Sequence, residues 1–186
     1  MTENKVKLLG IAGSLRTASV CKAVLRKIAA NATEDFSVEP FDIGSVPLYN
    51  EEIDYELPLE PIADLRNAIA GCDAVVIVSS EYNYGMPGVL KNTLDWASRP
   101  AKLSRFIDKP VLVITASPAF TGGVRAQGQI AETLRSMGAN VLAVPQIVIG
   151  SVHQKITDGE FDDPSTEAFI MNTLTKLIDA VRDARK

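Results

Sequence analysis

The sequence predicts an α/β protein of three layers: a five-stranded parallel sheet in the order 2-1-3-4-5, with helices on both faces. Three observations predict it. The strands read as near-continuous apolar runs, as in DAVVIVS (73–79) and KPVLVITA (109–116), the pattern of strands buried on both sides. Amphipathic segments of helical period separate them, and that alternation builds a parallel sheet with helical crossovers. A chain of 186 residues with five such strands suits this order better than the six-stranded dinucleotide fold.

The elements follow in order. KVKLLGIA (5–12) is a buried strand, and ASVCKAVLRKIAANA (18–32) a helix with Val20, Val24, Leu25 and Ile28 at helical spacing. FSVEPFD (36–42) is a second strand, assigned to an edge because Pro40 cannot donate to a ladder. Residues 43–61 carry three prolines and an acidic run, a connection long enough to be read as functional or interfacial. A helix over about 60–71 leads to the strand 73–79, a helix over 87–98 to the strand 109–116, and another helix covers about 123–137. NVLAVPQIVIG (140–150) supplies the last strand. Residues 163–186 form the last helix, with Asp163 as N-cap ahead of Pro164. No repeat, linker or low-complexity tract interrupts residues 1–186, which read as one domain.

Composition removes several classes of function. Hydrophobic residues make up 46%, and no apolar run approaches the length of a membrane span. The formal net charge of −4 and pI near 5.1 leave no basic footprint for nucleic acid. The apolar stretch at the N-terminus is too short and too glycine-interrupted for a secretory leader, so a cytoplasmic address is expected. Cys21 and Cys72 stand far apart, form no C-x-x-C and fit a reducing compartment.

In a sheet of this order, ligands bind beyond the carboxyl ends of the strands, around the switch between the first and third. That selects the loops 13–19, 80–88 and 117–124. GSLRTAS (13–19) lacks the spacing of a dinucleotide fingerprint or an NTPase phosphate loop, yet it concentrates Ser14, Arg16, Thr17 and Ser19 at a helix start. Helix N-termini present unpaired N–H groups that suit a phosphate, with hydroxyl and guanidinium donors adding to them. The alternative is that Ser19 only caps the helix while Arg16 is solvated. In SSEYNYGMPG (79–88), backbone around Glu81, Tyr82 and Asn83 offers a flat wall and hydrogen bonds to the polar edge of a planar heteroaromatic ring. Beyond it Leu90, Leu94 and Ala97 make a core face, with Trp96 as packing. In TASPAFTGGVRAQ (115–127), Gly122 and Gly123 allow backbone to approach a ligand and Ser117 is placed to reach it; alternatively the glycines only shape the turn.

G-S-L-R-x-x-S at 13–19, E-Y-N-Y-x-x-P-G-x-L-K-N-x-x-D-W at 81–96 and G-G-V-R-A-Q at 122–127 together resemble the NADPH-dependent FMN reductase family, particularly its chromate and quinone reductase branch. The likeness spans essentially the whole chain. It implies a flavodoxin-like fold, non-covalent FMN, and reduction of quinones and other small acceptors such as chromate, ferric complexes or azo compounds by NADPH or NADH. Carried over, Ser14, Arg16 and Ser19 hold the FMN phosphate with Leu15, Val20 and Cys21 beside it. Glu81, Tyr82, Asn83 and Tyr84 lie along the isoalloxazine, and Ser117 completes the pocket. This chain departs from the family at Cys21, commonly asparagine, and at Ser80, usually proline. The resemblance also implies dimers pairing into tetramers, with Arg125 near a subunit contact.

Flavin chemistry needs no catalytic side chain, and the hydride step belongs to the cofactor. The only histidine, His153, follows the last strand and is read as structural or solvated, away from the rim; no metal-ligand cluster is visible. Cys21, near a helix start and Arg16, is a candidate for a lowered thiol pKa, and Cys72 is read as core. Nicotinamide and acceptor are expected to share one stacking site in ping-pong fashion. A flavodoxin-type electron carrier is the rival reading, weighed against by the absence of a strongly acidic composition. A phosphatase of this architecture needs a loop cysteine, and none lies between Gly13 and Ser19.

Overall fold

A computed structural model describes residues 5–54 and 59–185. The sheet runs β2 (Phe36–Phe41), β1 (Val6–Ala12), β3 (Ala74–Ser79), β4 (Pro110–Ala116), with every pairing parallel. The fifth position is shared by two short strands on the outer edge of β4: β5 (Asn140–Val141) beside Pro110–Val111 and β6 (Ile147–Ile149) beside Ile114–Ala116. The expected order 2-1-3-4-5 holds, and the fold is flavodoxin-like. The single strand expected over 140–150 is corrected to these two pieces. Pro145 has no N–H to donate there. The Gln127 side chain stands in for the missing rungs, its Nε2 donating to Val113 O at 3.0 Å and Ile147 O at 3.3 Å.

Helices α1 (Val20–Ala30) and α6 (Pro164–Ala184) cover one face, and α3 (Glu60–Gly71), α4 (Gly88–Ala97) and α5 (Val124–Ser136) the other. Each layer closes over its own apolar cluster. Leu8, Val76, Ile114 and Leu174 belong to the first, and Ile11, Ile77, Leu90 and Trp96 to the second. Each fully buried large aliphatic side chain contributes about 1.5–3 kcal/mol, so alternate residues of every central strand hold both layers. Asp163 caps α6, accepting from Thr166 N at 3.1 Å, and its carboxylate also pairs with Lys155.

The long connection after β2 is fastened down. It contains a 3-10 turn (Ile43–Ser45) and one short helix, α2 (Glu51–Asp54); residues 55–58 lie outside the described residues. Pro47 O accepts from Asn92 Nδ2 and Trp96 Nε1, both at 2.8 Å, and the Tyr49 ring meets the Trp96 ring edge-on at 4.9 Å. Trp96 is fully buried, as its reading as packing requires. Asp54 and Arg66 close a two-pronged ion pair at 2.8 and 2.9 Å. A small hairpin, β7 (Ile156–Thr157) with β8 (Glu160–Phe161), packs on α1, held there by Arg26 on Glu160. No helix among the described residues is long and apolar enough to cross a membrane.

Candidate functional site

Three loops meet at the carboxyl ends of β1, β3 and β4, and each contact between them can be named. At the first, Gly13 lies so close to β3 that an added Cβ would stand 2.7 Å from Ser79 Oγ and 3.2 Å from Leu90. Only glycine lets the loop start there. Ser19 is the N-cap of α1, its Oγ accepting from Lys22 N at 3.4 Å. Ser14 and Ser19 are buried, whereas Leu15, Arg16, Thr17 and Ala18 are exposed. Val20 is half-buried and Cys21 buried. Among the described residues no carboxylate pairs with Arg16. The loop combines a helix start, two inward hydroxyls and an unpaired guanidinium.

The second loop leaves β3 through Ser80 and Glu81 and reverses at once. Tyr82 and Gly85 exchange backbone hydrogen bonds at 2.9 and 3.0 Å, while Asn83 and Tyr84 between them take φ of 50° and 66°. Positive φ at two successive central residues makes the tightest hairpin turn, and it is a strained place for a tyrosine. The turn projects both tyrosines outward, Tyr82 48% and Tyr84 70% exposed. Glu81 turns the other way. Its Oε2 accepts from Arg125 N at 2.9 Å and Ala126 N at 3.0 Å, while Oε1 lies 3.6 Å from the Arg125 guanidinium. That guanidinium sits 4.3 Å from the centre of the Tyr84 ring.

The third loop reaches α5 through Gly123, at φ 88°, where a Cβ would stand 3.1 Å from Thr115 Cβ. Ser117 is buried, its Oγ accepting from Ala119 N at 3.2 Å and its N donating to Ile149 O at 3.0 Å. Phe120 projects almost bare at 88%, with Val124 and Val148 each 38% exposed. Sequence reasoning missed Phe120, although an aromatic two residues before a glycine pair is a visible signal of an exposed tip.

All eleven sequence-selected residues therefore lie on or directly beneath these loops. Glu81 spends its carboxylate on α5, which leaves its backbone for a ring, as expected. Three expectations change. Burial pushes the Cys21 thiol up, outweighing the hydrogen bonds from Ser80 and Ser19 and the Arg16 charge, so the expected lowered pKa is corrected. Its Sγ lies 3.1 Å from Ser80 Oγ, joining two positions that were noted separately. His153 is exposed as read, but it follows Val152, whose N donates to Ser117 O at 3.1 Å, and so stands at the rim end of the sheet. Cys72 packs against the second apolar cluster but is only half-buried.

A cavity of about 590 Å³ lies on the flank between α4 and α5, lined in part by Asp95, Arg99, Met137 and Gly138, and shares no residue with the rim. The described residues hold no His, Cys, Asp or Glu group able to take a metal. The donor set at the rim fits a phosphate joined to a planar ring: hydroxyls and a cation at one end, exposed aromatics and turn backbone at the other.

Fold and rim together define a flavodoxin-like flavoprotein for FMN. The chain belongs to the NADPH-dependent FMN reductase family, which residues 6–154 match. It is 36% identical over 174 residues to an NAD(P)H-dependent FMN reductase of Pseudomonas aeruginosa, covering 92% of this chain and 93% of that one. It is 34% identical over 181 residues to a 2-hydroxy-1,4-benzoquinone reductase of a Burkholderia species, covering 97% and 98%. The structure of FerB, a flavoenzyme NAD(P)H:(acceptor) oxidoreductase of Paracoccus denitrificans, superposes with a TM-score of 0.85 at 27% identity, over 96% of this chain and 98% of that one.

Proposed function

We propose that this protein is an FMN-dependent reductase that takes reducing equivalents from NADPH or NADH and delivers them to quinones. The observation that carries the reading is the convergence of an unpaired Arg16, two buried serines and an aromatic turn on one rim. FMN, when bound, supplies the hydride chemistry at N5. The chain supplies everything else. Ser14, Arg16, Ser19 and the α1 start hold the phosphate, with Leu15, Val20 and Cys21 beside it. Backbone of Glu81, Tyr82, Asn83 and Tyr84 borders the ring, and Ser117 closes the pocket. Tyr82, Tyr84 and Phe120, all exposed at the rim, offer aromatic surface on which a nicotinamide or a quinone stacks.

Residues 1–186 form one such unit, acting in the cytoplasm. With one rim and no dinucleotide fingerprint, donor and acceptor use the same place in turn, which is ping-pong logic. Chromate, ferric complexes and azo compounds are further acceptors of the same site, since electron delivery at an exposed flavin edge asks little of the acceptor's shape. Copies associate as dimers or tetramers, with Arg125 near the contact. A carrier of the flavodoxin type would need an acidic docking surface, and the net charge is only −4.

Steady-state kinetics with NADPH and 1,4-benzoquinone tests this. Parallel double-reciprocal lines, with excess quinone inhibiting, are expected. Intersecting lines without competition between the two substrates overturn the shared site, and a carrier would show no steady turnover at all.

A further inference from the structure

The geometry points to Glu81 as a positioning residue for the acceptor: a carboxylate that caps α5 from outside the helix and, through Arg125, fixes the Tyr84 ring beside the open face. It rests on the reading that the 80–85 turn borders the flavin.

Helix α5 needs such a cap. Its first-turn N–H groups have no intrahelical acceptors, its own N-cap is Gly123, and no side chain of that residue can help. Glu81 answers from β3's loop with two hydrogen bonds, and its side chain is 9% exposed, so solvent competes little for them. A carboxylate at that end is also favoured by the helix dipole. Capping delivers Arg125 to one place. The backbone of Arg125 is itself one of the two donors, so the side chain leaves from a fixed point, and its guanidinium lies over the Tyr84 ring, 4.3 Å from the ring centre.

Tyr84 needs the support. It sits at φ 66°, where a side chain with a Cβ is strained, and is 70% exposed with little else against it. Cation–π contact with a guanidinium whose backbone is pinned favours one orientation of the ring. Met86 carries a second linkage at the far end of the turn, its N donating to Gln129 Oε1 of α5 at 3.1 Å. The turn is thereby bolted to α5 at both ends. An acceptor that stacks on Tyr84 meets a wall held by Glu81, a residue it never touches.

Glu81→Ala tests the chain of contacts. Amide exchange at Arg125 and Ala126 in the FMN-free protein is expected to quicken about tenfold, the change that goes with losing one cap. With FMN bound, the KM for 1,4-benzoquinone is expected to rise about fivefold or more, and to rise by a larger factor than either kcat falls or the FMN Kd increases. Glu81→Gln keeps an acceptor oxygen of the same reach and is expected to restore both readouts. Unchanged quinone KM in Glu81→Ala, or FMN binding weakened as much as KM is raised, overturns the assignment. Where Glu81→Ala does not fold, Arg125→Met decides: it keeps the capped N–H but removes the stack. It must then raise the quinone KM with amide exchange unaltered, and an unaltered KM refutes the role. The exchange measurement needs no cofactor, so a failed cap and a misplaced flavin give different results.

Discussion

Arg16 gives the sharpest test of the phosphate end of the rim. It is exposed, projects from the loop just ahead of α1 and pairs with no carboxylate among the described residues, so removing it strands no buried charge. The effect of Arg16→Ala on binding is then the contact itself. A hydrogen bond to a charged group contributes about 1.5–3 kcal/mol, and screening at an exposed site favours the lower half of that range. About 1.5–2 kcal/mol corresponds to an FMN Kd weakened about 12- to 30-fold. Titration of FMN-free protein, followed by quenching of flavin fluorescence, measures this directly. Riboflavin supplies the control, because it carries the same ring without the phosphate. Its affinity should change less than about twofold. An FMN Kd that does not move, or an equal loss for riboflavin, refutes the placement of the phosphate at this loop.

Four further outcomes are expected. Cys21 should resist iodoacetamide at neutral pH in the native protein and react fully once unfolded, because burial raises its pKa; rapid native labelling contradicts this. Gly123→Ala should lower stability by about 1–2 kcal/mol, through left-handed backbone and the 3.1 Å contact with Thr115, as read by a fall in Tm. Burial pushes the Asp73 carboxyl up, but the Lys7 amide at 2.7 Å and the Arg185 guanidinium at 2.6 Å pull harder and hold it below the ordinary range. A carboxyl depressed in the folded state adds stability above its unfolded pKa of about 3.9 and loses it as pH falls through the folded value. Asp73→Asn should therefore lower Tm at pH 7 and make no difference at pH 2, and an equal loss at both would disprove the linkage. Tyr84→Ala should raise the quinone KM more than it lowers FMN content.

The strands and helices were legible because burial on two faces leaves an unbroken apolar signature, and Asp163, Pro40 and Trp96 each carry local chemistry that fixes their place. The three loops were legible because fold order alone says where they converge. What escaped were relations between distant residues. Nothing in the spacing says that the Glu81 side chain turns away toward Ala126, since that depends on which orphan N–H groups lie nearby in space. The Cys21 thiol was misjudged for a related reason. Proximity to a helix start and Arg16 can be read along the chain, but the burial that outweighs them cannot. The break at 142–146 was misread because a ladder depends on the partner strand: Pro145 was visible, whereas Gln127 standing ready to fill the gap was not. His153 was placed on the wrong side by treating the end of the last strand as the end of the site.

The split fifth strand bears on how copies of this chain can meet. A long, even strand at the margin of a sheet is an open template, and another molecule can extend the sheet by adding its own strand there. Here one margin offers two fragments of two and three residues, out of step and separated by a proline. The opposite margin, β2, runs unbroken over Phe36–Phe41 but contains Pro40, which has no N–H to offer. Both features work against extension of the sheet by a second copy. That leaves side chains on helices and loops, where shape and charge can select a partner, as the surface on which copies would have to recognise one another.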